Sequence, residues 1–352
     1  MKTLSLLIVC VFLLPVFGQE KDANAFPPYP QAGGVSAPFA GFIGDTLIVA
    51  GGCNFPDTPA ADGGKKVFHA TAYALDVRRL SDGWIPLPPL PAPIAYGAAV
   101  PTPEGLVCIG GQNAQGAQTD VYLLDTNGQT TPLPPLPASV DNGGASLCGH
   151  TLLVTGGNQP ENGKGLYALD LSSPTNWKRL ADYPGPQRIQ PIVLSTPNAL
   201  YLAGGYAFDA AQKKCTPSTD LLKYDVGTNR WSVLDTLIAE RDGTPRCLAG
   251  GSGVMLSDGK MLLTGGVNHD IFRQAMEGKG PADYMKKTVA WYRFNDDLLT
   301  YDPGKRTWHV TYDVPGLARA GGILLEHDGY LYIICGEIKP GIRTPQITVL
   351  PL

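Results

Sequence analysis

The sequence predicts an all-β fold, a six-bladed β-propeller, and three observations carry that expectation. Gly and Pro number 43 and 32 of 352 residues, too many chain breakers for a helical protein. Apolar residues still make up 43 % of the chain, which is ample for a packed core. Short apolar runs ending in a Gly-Gly doublet recur along almost the whole length, the mark of a repeat architecture.

The doublets set the blade count. "TLIVAGG" ends at Gly52, "LVCIGG" at Gly111, "TLLVTGG" at Gly157, "ALYLAGG" at Gly205 and "KMLLTGG" at Gly266, with "YLYIICG" ending at Gly336 as a degenerate sixth. Most are followed by a second apolar strand ending in Asp, such as "TAYALD", "DVYLLD" and "GLYALD", and then often by a Trp and a Pro-rich bend. This order is similar to the kelch repeat, one propeller blade per repeat. The steps between doublets are 59, 46, 48, 61 and 70 residues, so some blades carry insertions. The sixth blade ends in "QITVLPL" as its third strand, and the Pro-rich "NAFPPYP" near the N-terminus matches the other outer strands. Residues Ala23–Tyr29 are therefore expected to pair with the C-terminal blade and close the ring, removing its exposed edges.

Ahead of this domain lies "MKTLSLLIVCVFLLPVFGQEK". Lys2, the apolar stretch Leu4 to Phe17 and the Val16-Phe17-Gly18 step fit a cleaved export signal over residues 1–18, and the apolar run is short for a membrane anchor. The expectation is a single domain over residues 19–352 working in the periplasm or outside the cell, with no membrane attachment after cleavage. A formal charge of -4 and no basic run argue against nucleic acid as a partner. Beyond Cys10 there are six cysteines, none in a CxxC pair. No disulfide framework is expected, and Cys215 with Cys247 is the one pairing worth entertaining in an oxidising compartment.

In a propeller, residues just after the doublets and those entering each first strand gather at one end of the channel. That places Asn54, Tyr96, Arg188, Arg246, Asn268, Arg319 and Glu337 on one rim. Several Arg about one channel suggest an anionic ligand, although single Asn residues there are also ordinary turn formers. Two insertions fall at the same end, residues 53–68 and residues 268–297, and long loops on a rigid scaffold are often lids.

The stretches "GEIKPGIRT" (336–344), "GGVNHDIF" (265–272), "FNDDLLTYDP" (294–303), "YGAAVPTPEGLVCIGG" (96–111) and "APFAGFIGDTLIVAGG" (37–52) together resemble the exported kelch-type N-acetylneuraminate mutarotases, or epimerases. In the usual member of that family the "GEIKPGIRT"-like motif lies mid-chain. Here it lies near the C-terminus, which resembles a cyclically permuted branch. The resemblance implies interconversion of the α and β anomers of sialic acid, a small sugar acid, with no cofactor and no metal. It implies Glu337 as the proton acceptor and Arg343 as the clamp for the substrate carboxylate, with Arg188, Arg319, Arg246, Asn268, Tyr96 and Asn54 as binding candidates.

Pro340-Gly341 is a turn signal able to fold Arg343 back beside Glu337, while Lys339 is expected to face solvent and His269 to be incidental. Read from the residues alone, Glu337 and Arg343 are equally an ion pair bracing a tight turn. A copper enzyme of the galactose-oxidase kind is disfavoured, because the five His show no metal-ligand spacing. A propeller that binds a glycan or protein without catalysis stays open, since fold does not fix function.

Overall fold

A computed structural model describes residues 26–352; the expected export signal and Ala23 to Ala25 of the expected closing strand lie outside the described residues. The blades are five four-stranded sheets and one three-stranded sheet, each antiparallel with its strands in chain order, and four two-stranded hairpins are inserted within blades. The innermost strands are Phe39–Ile43, Ala98–Thr102, Gly144–Cys148, Ile192–Thr196, Gly251–Met255 and Ile323–His327. The six-bladed propeller of the sequence reading is the observed architecture. Among the described residues the one α-helix, His269–Met276, lies in the long insertion.

The second strands read as continuous apolar runs because each blade is covered on both faces. In Thr46–Ala50, Leu47 and Val49 join an apolar cluster shared with the sixth blade, while Ile48 and Ala50 join one shared with the second. The same division repeats around the ring, with an apolar cluster between each pair of neighbouring blades.

The blades are also tied by two sets of backbone hydrogen bonds at the channel mouth. The second Gly of a doublet donates to the next blade: Gly52 to Ile94 at 2.8 Å, Gly157 to Arg188 at 2.7 Å, Gly336 to Val35 at 2.9 Å. Inside these lies a closed circuit. Tyr96 N donates to Ala37 O, Asn142 to Tyr96, Gln190 to Asn142, Gly250 to Gln190, Gly321 to Gly250, and Ala37 back to Gly321, at 2.6 to 3.3 Å. Every residue in the circuit has a left-handed backbone, with φ from 51° at Ala37 to 72° at Gly250. Four of the six carry a Cβ, a conformation costing on the order of 1–3 kcal/mol each unless the surroundings fix it. The ring of bonds fixes it.

Closure takes a modified form. The sixth blade has three strands, Ile323–His327, Tyr330–Ile334 and Ile347–Pro351, and residues 26–30 add no ladder of their own. The physical reason is that Pro27, Pro28 and Pro30 have no N–H to donate. The segment nonetheless occupies the outer position. Tyr29 N donates to Pro345 O at 2.8 Å, matching Leu90 N to Ala70 O and Leu136 N to Thr119 O, which join the third and outer strands of the first two blades. Trp84 Nε1 donates to Pro27 O at 3.2 Å, as Trp177 does to Pro134 O and Trp231 to Ala181 O. Phe26 and Tyr29 are buried, with edge-on ring contacts to Tyr332, Tyr73 and Trp84.

Because this seam is held by side-chain burial and not by a ladder, Tyr29→Ala is expected to cost about 3–5 kcal/mol, as truncation of a buried aromatic does. Equilibrium urea unfolding measures it. A loss below about 1 kcal/mol would mean that the segment does not close the ring.

Candidate functional site

After four of the doublets the chain makes a short hairpin at the same end of the channel: Cys53–Asn54 with Val67–Phe68, Gln112–Asn113 with Gly116–Ala117, Tyr206–Asp209 with Lys214–Pro217, and Glu337–Lys339 with Ile342–Arg343. The last of these carries the charged motif. Its turn is Pro340-Gly341, with Gly341 at φ 83°. A Cβ on Gly341 would stand 2.6 Å from the Ala60 Cβ, so glycine is required there for both conformation and room.

The hairpin makes Glu337 and Arg343 direct cross-strand partners. Arg343 Nη1 stands 2.8 Å from Glu337 Oε2, with the two side chains 4 % and 21 % exposed. Glu337 is held on its other edge by Ala320, through backbone bonds of 2.7 and 2.9 Å. Arg343 Nε donates to Ser36 Oγ at 3.2 Å, and its guanidinium lies over the Phe55 ring at 4.8 Å, a cation–π contact. Nη1 forms no aligned hydrogen bond despite its closeness to Glu337. Burial pushes the Glu337 carboxyl above its ordinary value, and Arg343 opposes that shift without overcoming it.

A cavity of about 490 Å³ opens beside Glu337, within the size range of small-molecule sites. Glu337, Ser36, Tyr96, Gln190 and Tyr206 line it from the blades. The long insertion supplies Asn268, Ile271, Phe272, Met276, Tyr284 and Phe294 as a mostly apolar wall. Asn268 caps the helix by accepting from Ile271 N at 3.1 Å. Tyr96 and Gln190 also line the central channel beneath, and the left-handed backbone of each helps aim its side chain at the mouth.

Of the expected site residues, Glu337, Tyr96 and Asn268 line the cavity, and Arg343 is paired to Glu337 behind its wall. The other four do not reach the cavity. Arg188, 1 % exposed, pairs with Asp220 at 2.7 Å and with backbone carbonyls. Arg246, 1 % exposed, pairs with Asp297 at 2.8 Å. Arg319 donates to Ile333 O, Cys335 O, Gln346 O and Thr348 Oγ1, and burial pushes its pKa down to about 10. Asn54 donates to Ala32 O and Gly34 O and bonds His69. These are ties between strands and blades, and the expectation that they contact a ligand is corrected accordingly. Lys339 is a second correction: it does not stand free in solvent but donates to Lys287 O at 2.8 Å, anchoring the long insertion. His269 bonds the adjacent Asp270 on the surface. Cys215 and Cys247 are both free and buried.

Sequence reasoning missed Ser36 and Gln190, and it places Tyr206 on the rim, just after its doublet, without giving it a binding role. The signal for them was present: each lies at the residue before, at, or after a circuit or doublet position already counted.

If Arg246 is a structural tie, Arg246→Met strands Asp297, 11 % exposed, beside no cation and is expected to cost about 3–5 kcal/mol. Denaturant unfolding measures this, and an unchanged midpoint would return Arg246 to the list of ligand groups.

The family model described as N-acetylneuraminate epimerase matches residues 133–352. The N-acetylneuraminate epimerase of Yersinia enterocolitica is 32 % identical over 199 residues, 53 % of this chain and 49 % of that protein. That of Pasteurella multocida is 29 % identical over 191 residues, 51 % and 48 % of the two chains. The chain thus spans about half the length of the curated relatives it matches. The solved structure of YjhT is similar over 93 % of this chain and 99 % of its own, with a TM-score of 0.66 at 17 % identity, a likeness of fold. A family match over more than half the chain, which includes the Glu337–Arg343 hairpin, places this protein in the N-acetylneuraminate epimerase family.

Proposed function

We propose that this protein interconverts the α and β anomers of N-acetylneuraminic acid by opening and reclosing the sugar ring. The observation that carries the proposal is Glu337 in the wall of a ligand-sized cavity, with Arg343 paired to it from behind. Ring opening needs a base for the anomeric hydroxyl, and Glu337 is rigidly placed for that role by hydrogen bonds on both edges of its strand. Arg343 Nη1 is buried beside Glu337, so Arg343 reaches the carboxylate that sialic acid carries on the same anomeric carbon only by a shift of its side chain. A guanidinium holding that carboxylate orients the reacting centre against the base.

The match over residues 133–352, which leaves the first two blades outside it, supports a cyclically permuted order of blades relative to the curated relatives. Residues 1–18 are read as an export signal from their charge and apolar pattern, which puts the reaction in the periplasm. A sugar-binding propeller without catalysis is the second reading. The aromatic wall of Phe272, Tyr284 and Phe294 favours it, since such rings suit sugar faces.

Proton NMR of freshly released α-sialic acid separates the two readings. Added protein is expected to speed its approach to the anomeric equilibrium, and Glu337→Gln to lower kcat by roughly 10²–10⁴-fold, the worth of a general base. Binding without acceleration would leave only the second reading. The base must start ionised, and its pKa is raised by burial. The rate above the uncatalysed background is therefore expected to fall as pH drops through a midpoint above 4.5. A kcat/KM limb centred at or below 4.5 would count against Glu337.

A further inference from the structure

Ring opening needs a second proton transfer that Glu337 does not supply in the same instant: the ring oxygen must gain a proton as its bond to the anomeric carbon breaks. Tyr96 stands in the cavity wall together with Glu337. Its phenol oxygen accepts from Lys66 Nζ at 2.9 Å and from Cys53 Sγ at 3.2 Å. With both bonds received, the phenol's own proton is left for an occupant of the cavity, and no acceptor for it is present among the described residues. Lys66 approaches from the solvent side, its Nζ 4.8 Å from the ring centroid.

The two ends of the site are joined. Glu337 meets Arg343, Arg343 Nε donates to Ser36 Oγ, Ser36 Oγ lies 3.7 Å from Cys53 Sγ, and Cys53 donates to Tyr96. Tyr96 therefore has a fixed position relative to the base, set by side chains as well as by its place in the interblade circuit.

We propose that Tyr96, with Lys66 behind it, is the proton donor to the ring oxygen, complementary to Glu337 as the base. This rests on the anomer-interconversion reading above. Glu337 takes the proton of the anomeric hydroxyl, whose oxygen then forms the carbonyl double bond. The bond from the anomeric carbon to the ring oxygen breaks, and its electron pair takes the Tyr96 proton. The resulting phenolate lies against the Lys66 ammonium, which stabilises the new charge. After rotation of the open keto form, the phenolate takes that proton back as the ring oxygen closes on the other face of the carbonyl. Protonated Glu337 returns its proton to the carbonyl oxygen, and neither residue is changed over the cycle. Burial, and after it the Cys53 thiol, push the Tyr96 pKa up, so the phenol is protonated at neutral pH as its role requires.

The same NMR exchange assay, run on the full chain with purified wild type, Glu337→Gln, Tyr96→Phe and Lys66→Met, tests this. Tyr96→Phe is expected to lower kcat by roughly 10²-fold or more with KM within about threefold. Lys66→Met, at an exposed position where the fold is not at stake, is expected to lower kcat by roughly ten- to a hundredfold, the range of one charge-assisted hydrogen bond, again with little change in KM. Lys66→Arg keeps the cation and is expected to recover most of that loss. If Tyr96→Phe keeps kcat within about threefold, or loses activity through KM alone, Tyr96 is not the donor, while the loss in Glu337→Gln leaves the anomer reading standing. If wild type itself fails to accelerate exchange, the reading beneath fails and the donor role with it.

Discussion

Everything at the functional end of this protein hangs on a closed circuit of six backbone hydrogen bonds, one from each blade to its neighbour. A backbone bond between blades requires the chain entering each first strand to turn its N–H sideways, and the left-handed conformation does that. Isolated, such residues are strained; in a ring, each one's strain is offset by a bond that the next one completes. The circuit sets the width of the channel mouth and hence the spacing of whatever side chains its members carry. Tyr96, Asn142 and Gln190 carry side chains, while Gly250 and Gly321 leave space on the far side.

The charged hairpin is mounted on this frame. Its Glu337 is bonded to Ala320, the residue just before the circuit member Gly321. The acid is thus located by a closed loop of covalent and hydrogen-bonded links, with little freedom to drift. Its raised pKa follows from that placement: a carboxyl held in a buried corner loses hydration it cannot escape by rotating out, and one guanidinium only partly restores the balance. A carboxyl poised this way is a better proton acceptor than an ordinary surface glutamate, which is the practical meaning of burying it.

How much of this could be read in the sequence depended on how local the cause was. The blades were legible because each doublet and its strand announce themselves within seven residues. The Glu337–Arg343 pair was legible because Pro340-Gly341 forces the hairpin. The arginines were not, because what distinguishes a structural arginine from a ligand-binding one is its partner. Asp220 is 32 residues from Arg188 and Asp297 is 51 from Arg246, distances over which no local pattern speaks. Arg319 is satisfied mainly by carbonyl oxygens, which have no sequence signature. The closing segment was half legible: its Pro-rich character gave the location, while the same prolines denied it the ladder. The wall of the long insertion is only partly periodic: Ile271, Phe272, Ala275 and Met276 share one face of its helix, while Tyr284 and Phe294 come from outside that helix.

The hairpin that carries the acid also props up both insertions. Gly341 at its tip touches Ala60 of the first, and Lys339 holds the Lys287 carbonyl of the second. One small element therefore carries the candidate base and braces two walls of the cavity beside it. Substitutions that reshape those walls will be felt at the acid, and changes to the acid's turn will be felt in the walls. In such an arrangement ligand preference and catalytic geometry are inherited as one trait, and a lineage that explores new ligands must carry its hairpin along with it.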